Sequence, residues 1–200
     1  MPVRTKLNEV MKDRRSIRRL GRKEGLLRTE VEDMLRLALY APSAYNMQSS
    51  KMVLLMDGAH EKFWDLTLEA LRKKIPPEAF ARTQKKLDGF RGGNGTVLFY
   101  EDREVVERYQ KDFPLYAGYF DQWSQHNNAM LQYALWLVLT EARLGASLQH
   151  YNPLIDSAVA AQWDIPKSHV LIAQMPFGKP EDTPAERQWK PFEEVVRVYD

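Results

Sequence analysis

Apolar residues recur at helical spacing from Val31 through Met34, Leu35 and Ala38 to Leu39, and the pattern stops at Ala41-Pro42. Thr29 and Glu32 precede it as T-x-x-E, which predicts a capping box opening this helix. Lys51 to Met56 is a short apolar run closed by Asp57-Gly58, the length and punctuation of a buried strand. A helix follows from about His60 to Lys74. A charged helical stretch then runs from Pro76-Pro77 to the cluster Gly92-Gly93-Asn94-Gly95, and Thr96 to Tyr100 reads as a second buried strand. Residues 103–112 carry a helical pattern. Phe120 to Arg143 predicts the longest helix, with Gly145 placed to follow its C-cap. Leu148 to Tyr151 is a short strand or loop, 154–163 a helix, His169 to Met175 a strand ending before Pro176, and Glu193 to Tyr199 a strand-like tail.

Between Met130 and Leu139 the longest helix is apolar almost all round, so it should be buried on every side. A chain of 200 residues can provide that only with a central helix or a second subunit, and a homodimer is expected. The length suits one domain, 1–200, and no linker, repeat or low-complexity tract divides it. Hydrophobic residues at 44% and charged residues at 28% are those of a globular protein, which excludes wholesale disorder. The net charge of +2 gives no prompt for nucleic acid. The first twenty residues are charged where a secretory signal would be apolar. The longest apolar run, Ala129 to Leu139, is too short to span a bilayer, so a cytoplasmic protein without membrane contact is expected.

The absence of cysteine rules out disulfides, thiolate metal sites and thiol catalysis, so redox chemistry would need a borrowed cofactor. No two histidines stand at ligand spacing on one helix, and no metal site is expected. His60, His126, His150 and His169 have no recognisable carboxylate or serine partner, which leaves them as ordinary satisfied histidines.

Four clusters carry candidate chemistry. Arg14-Arg15-Ser16-Ile17-Arg18 alternates guanidinium forks with a hydroxyl, donors that match phosphate. Ala41 to Ser50 is dense in small hydrogen-bonding residues able to face a planar heterocycle. Leu144 to Asn152 follows the long helix, and Arg187-Gln188-Trp189-Lys190-Pro191 offers two more cations near the end. Each alone reads equally as a basic helix end, a turn or surface charge. Their joint order separates them from those readings.

R-R-S-x-R at 14–18, A-P-S-x-x-N-x-Q at 41–48, L-G-A-S at 144–147 and the basic residue before P-x-E-E-V at 191–195 together resemble the nitroreductase family of FMN-dependent oxidoreductases. G-T-V-L-F-Y-E-D (95–102), S-L-Q-H-Y-N-P (147–153) and A-Q-M-P-F-G (173–178) are similar to its compact subgroup linked to fatty-acid and oxidative-stress responses. The resemblance implies an α+β sandwich, a mixed or antiparallel central sheet flanked by helices, in an intertwined homodimer with FMN at the interface. It implies that Arg14 and Ser16 hold the phosphate, with Arg187 and Lys190 closing that site. Arg15 would lie along the ribityl chain and Arg18 beside N1 and O2, tuning the flavin. Pro42, Ser43 and Asn46 would reach the flavin from the partner subunit, with Tyr45 and Gln48 close by, and Leu148, Gln149 and His150 would pass its N5 and O4 edge. Lys85, Lys86 and Arg91 are open candidates for a further cation.

The implied activity is ping-pong reduction of nitroaromatics or quinones by NADH or NADPH, with flavin N5 as the reactive atom and no protein nucleophile. The alternative is a flavin-binding regulator of lipid or stress response with little turnover. Two features depart from the family pattern: Ser49-Ser50 where many members have proline, and Gly93-Asn94-Gly95 where the subgroup tends to Gly-Tyr-Gly.

Overall fold

A computed structural model describes residues 6–200. Its elements are α1 (Lys6–Asp13), β1 (Leu20–Gly21), α2 (Arg28–Ala38), β2 (Ser50–Met56), α3 (Asp57–Arg72), α4 (Pro77–Arg91), β3 (Gly95–Asp102), α5 (Arg103–Asp112), α6 (Phe120–Glu141), β4 (Gly145–Ala146), α7 (Asp156–Trp163), β5 (His169–Pro180) and α8 (Phe192–Val195). The five strands form one sheet in the order β1-β5-β3-β2, with β4 also on β5, and every strand pair is antiparallel.

The period-2 alternation of β3 divides the core. Val97 and Phe99 face α2 and α6 together with Ala173 and Met175 of β5, whereas Leu98, Tyr100 and Leu171 face α3, α4 and α7. Helices on both faces of an antiparallel sheet give the expected α+β sandwich. Phe63, Trp64, Phe90 and Phe99 are fully buried, and truncating any of them to alanine should cost about 3–5 kcal/mol.

The glycine cluster before β3 is dictated by close approach. A Cβ at Gly92 would stand 2.4 Å from the Leu20 carbonyl oxygen, and one at Gly93 would stand 2.5 Å from that of Phe177. Asn94 next to them ties the chain back to Lys23. Its Oδ1 accepts from the Lys23 N–H at 2.8 Å and its Nδ2 donates to the Lys23 carbonyl at 3.0 Å. Asn94 is thus a structural bridge.

Several local expectations are corrected. α2 starts at Arg28, and the Leu27 N–H donates to the Glu30 carboxylate at 2.8 Å, so Thr29 lies inside the first turn and the Thr29–Glu32 box does not form. Glu32 pairs with Arg28 instead, at 2.7 Å. α6 turns off through Arg143 at φ 58°, not through Gly145. Gly145 belongs to β4, where a Cβ would meet Ile17 at 3.0 Å. Of the two readings of Leu148 to Tyr151 the loop holds, with Gln149 making a single bridge to Gln174 and the short β4 preceding it at Gly145–Ala146.

β5 continues past Pro176, and the Asn94 N–H still donates to the Phe177 carbonyl beyond it at 2.9 Å. The tail is not a strand: it is the short α8 followed by exposed irregular chain. Nor is α6 buried on every side of the protomer, because Met130 and Tyr133 are exposed. Among the described residues, no helix is long and apolar enough to cross a membrane.

Candidate active site

Arg14 to Arg18 leaves α1 as an extended segment pinned to the sheet. The Ile17 N–H donates to the Ala146 carbonyl at 2.9 Å, and the buried Ile17 side chain locks the segment over Gly145. The chain after β5 returns across it. An Arg187 N–H donates to the Arg14 carbonyl at 2.7 Å, and the Arg15 guanidinium donates to the Ala185 carbonyl. Arg14, Arg15, Ser16, Arg18 and Arg187, closed by Pro184 and Ala185, surround a cavity of about 380 Å³.

Among the described residues, none of these four guanidiniums pairs with a carboxylate. Burial first, then the nearby Arg187, holds Arg14 below its ordinary pKa. The Arg14 guanidinium stacks on Trp136 of α6, 4.4 Å from the ring centroid. Like charges gathered and partly desolvated without counter-charge favour an anion.

Arg18 has a second cation beside it. Lys86 of α4 is held below the usual lysine range by burial and then by Arg18, and its Nζ lies 5.4 Å from the Tyr151 ring centroid. Arg91 is committed elsewhere, to Asp65 at 2.9 Å and Glu61 at 3.5 Å. Of the three open cations, Lys86 is the one on which Arg18 acts and Arg91 is held by acids.

The 148–152 turn abuts the same strand edge. Gln149 pairs backbone to backbone with Gln174 at 2.8 and 2.9 Å, and its side chain donates to Ser147 Oγ at 3.1 Å. Gln174, fully buried in β5, accepts from the Tyr151 N–H at 2.8 Å and donates to Asn152 Oδ1 at 3.2 Å. A glutamine in an otherwise apolar strand was the available signal for this supporting role. His150 lines a separate cavity of about 420 Å³ with Glu101, Arg103 and Gln132. Burial raises the pKa of Glu101 there.

The 42–48 loop is strained: Tyr45, Asn46 and Gln48 have φ of 54°, 52° and 49°. Asn127 of α6 holds it by accepting from the Ala44 N–H at 3.0 Å, and Ser43 Oγ accepts from the Gln48 N–H at 3.2 Å. The Tyr45 ring packs on Phe113, Phe120 and Trp123 at centroid distances of 4.7, 5.6 and 6.0 Å. One cavity of about 380 Å³ lies beside the loop toward Leu35, Met52 and Leu131, and another of about 450 Å³ toward Trp123, His126 and Met130. Neither is lined by the arginines of the 14–18 segment, so within the protomer the loop and the arginines face different cavities. Lys190 does not line the arginine cavity. No group of His, Asp and Glu among the described residues is placed to hold a metal.

Comparison with known proteins adds independent findings. The model of the Nitroreductase family matches residues 11–179. Nitroreductase CinD from Lactococcus lactis, solved with chloramphenicol, is 34% identical with a TM-score of 0.87, covering 96% of this chain and 99% of its own. Structures of CinD with 4-nitrophenol and with nicotinic acid superpose with a TM-score of 0.86. The putative nitroreductase HBN1 of Saccharomyces cerevisiae is 32% identical over 148 residues, 74% of this chain and 72% of its own. A nitroreductase with bound FMN from Desulfitobacterium hafniense shares the fold, with a TM-score of 0.71 at 14% identity over 99% of this chain and 100% of its own. With a family match over most of the chain and these relatives at both sequence and structure level, the protein belongs to the nitroreductase family of oxidoreductases.

Proposed function

We propose that the protein is a homodimeric, FMN-dependent oxidoreductase that takes electrons from NADH or NADPH and delivers them to nitroaromatic or quinone acceptors, the two substrates using one cavity in turn. The observation that carries this reading is the arginine cradle. Four guanidiniums and the Ser16 hydroxyl converge on one cavity without carboxylate partners among the described residues, which suits a phosphate ester dianion. The buried Arg14 Nε, which has no hydrogen-bond partner among the described residues, fits the same reading. Bound FMN supplies two-electron hydride chemistry that no side chain of a cysteine-free chain provides.

The chain's own residues then bind, orient and tune. Arg14, Ser16 and Arg187 hold the phosphate, with Lys190 as an outer cation, and Arg15 lies along the ribityl chain. Arg18 and Lys86 set positive charge at the pyrimidine edge, where reduction leaves negative charge. Leu148, Gln149 and His150 bound the N5 and O4 edge on a turn fixed by Gln174. The second half-site, Pro42, Ser43, Tyr45, Asn46 and Gln48, would serve the flavin of the other subunit.

Exposed apolar residues support the dimer. Tyr40 just after α2, Met130 and Tyr133 on α6, and Trp189, Phe192 and Tyr199 on the tail are large apolar side chains left exposed on the protomer, which a second subunit would cover. The nitroaryl groups of chloramphenicol and 4-nitrophenol, both solved with CinD, support the acceptor class.

The test is an absorption spectrum of the purified protein, followed by anaerobic addition of NADH and then NADPH. A flavin band that bleaches with either nucleotide and recovers with 4-nitrophenol or a quinone is the expected result. A yellow protein that never bleaches would favour the regulator, and a colourless protein that binds no added FMN would overturn the cofactor reading.

A further inference from the structure

Trp136 sits in the core cluster formed by α6 and the sheet, with only 8% of its surface exposed, and its ring face receives the Arg14 guanidinium. Arg14 thus has an aromatic face against its guanidinium and a second cation nearby, Arg187, which donates to its carbonyl at 2.7 Å. A guanidinium so placed loses hydration and meets like charge, with no carboxylate to offset either among the described residues. A π face can offset both. Tryptophan is the most effective side chain for this, and the attraction strengthens when water is excluded. Stacking also fixes the plane of the guanidinium, so that its N–H edge stays available for a ligand.

We propose that Trp136 is a positioning residue of the phosphate site: it holds the Arg14 guanidinium in a fixed plane and stabilises the juxtaposition of Arg14 and Arg187 before the anion binds. The proposal rests on the FMN reading above and names the residue that makes its charge cluster tenable. Arg187 is backed similarly by Trp189, 4.7 Å from the ring centroid, but Trp189 is 74% exposed, so the buried stack carries the larger effect.

A double-mutant cycle on the full-length protein tests it. FMN dissociation constants are measured by fluorescence titration for wild type, Trp136→Phe, Trp136→Leu, Arg14→Gln and the Trp136→Leu/Arg14→Gln pair. Trp136→Leu should weaken FMN roughly tenfold, within the range of a desolvated cation–π contact. Trp136→Phe should retain most of the affinity, and Trp136→Leu should cost less than about twofold once Arg14 is gone, the non-additivity expected of a direct pair. The absorption spectrum and midpoint potential of the FMN that Trp136→Leu does retain should match wild type, whereas a spreading packing defect would move both.

Equal losses from Trp136→Leu in both backgrounds, or phenylalanine as damaging as leucine, would overturn the proposal while leaving FMN binding intact. Failure of the wild type to bind FMN would overturn the cofactor reading. The same cycle run with inorganic phosphate then decides the stack: non-additivity upholds it as part of an anion site, and additivity removes it.

Discussion

The polar groups under α3 and those gathered at Arg14–Arg18 follow opposite rules. Under α3 the group built on His60, Thr96 and Trp64 is answered atom by atom. His60 Nε2 donates to the Arg91 carbonyl at 3.1 Å, which assigns its tautomer because a carbonyl only accepts. Its Nδ1 accepts from the Thr96 hydroxyl at 2.8 Å, and Thr96 Oγ1 accepts from the Trp64 indole at 3.0 Å. The arginines on that side have acids: Arg22 pairs with Asp57 and Glu61, and Arg91 with Asp65 and Glu61. At the cradle, four arginines converge with no carboxylate among the described residues, and Arg14 Nε and Trp136 Nε1 are buried without partners. Buried polar groups are costly unless matched. A closed network therefore reads as architecture and an open cluster of one sign as a place where something binds, although both are rich in the same residue types.

The largest effect should come from breaking the closed side with acid. Burial lowers His60 from 6.5 to about 4, so the unfolded chain binds its proton first as pH falls. Stability from this group is complete above about pH 6.5 and is lost as pH drops toward 4, about 3 kcal/mol in all. Glu101, whose pKa is raised, runs the other way: its contribution is greatest in acid and is lost as pH rises. The His60 share is therefore read by difference. His60→Gln keeps a donor and an acceptor without titrating, and its urea midpoint should vary less between pH 7 and pH 5 than that of the wild type. Parallel curves would show that His60 does not govern the acid limb.

Next in size is the open side. Arg187→Ala removes one cation from the cradle and the donor to the Arg14 carbonyl. A charge-assisted bond to phosphate is worth about 1.5–3 kcal/mol, so FMN affinity should fall roughly ten- to hundredfold. Isothermal titration calorimetry checks this, and an unchanged dissociation constant would remove Arg187 from the phosphate site. Thermal stability without FMN should change little or rise, because a repelling charge has gone.

The same contrast explains what the sequence made legible. Periodicity and punctuation located β2, β3 and α5 closely, since alternation in a two-sided sheet and a bounded helical run are local signals. The four clusters proposed to form the site stood out because their order along the chain is itself distinctive, and that order also marked the family. Effects that depend on phase or on distant neighbours were not readable. Lys85 and Lys86 are adjacent in sequence but stand about 100° apart around α4, and it is on Lys86 that Arg18 acts. Gly145 looked like a helix stop because glycine commonly is one; its actual constraint is the Ile17 side chain, far away in sequence. The apolar alternation of the tail read as a strand, but on the protomer it has no sheet to join and stays exposed.

The smallest expected effect concerns tuning rather than binding. Burial and then the nearby Arg18 disfavour charge on Lys86, so the pyrimidine edge would be faced by two neighbouring cations rather than one. Removing one should lower the flavin midpoint potential without abolishing it, because the second remains. A loss of about 1.4 kcal/mol in the stabilisation of the two-electron reduced form corresponds to roughly 30 mV. Arg18→Ala should accordingly shift the potential downward by about that much and slow reduction by NADH or NADPH, while FMN affinity stays closer to wild type than in Arg187→Ala. Spectroelectrochemical titration separates the outcomes. If Arg18→Ala leaves the potential unchanged and Lys86→Ala lowers it, the tuning cation is Lys86. If neither variant moves the potential, both cations lie outside the pyrimidine edge, and the cradle would bind its ligand without tuning it.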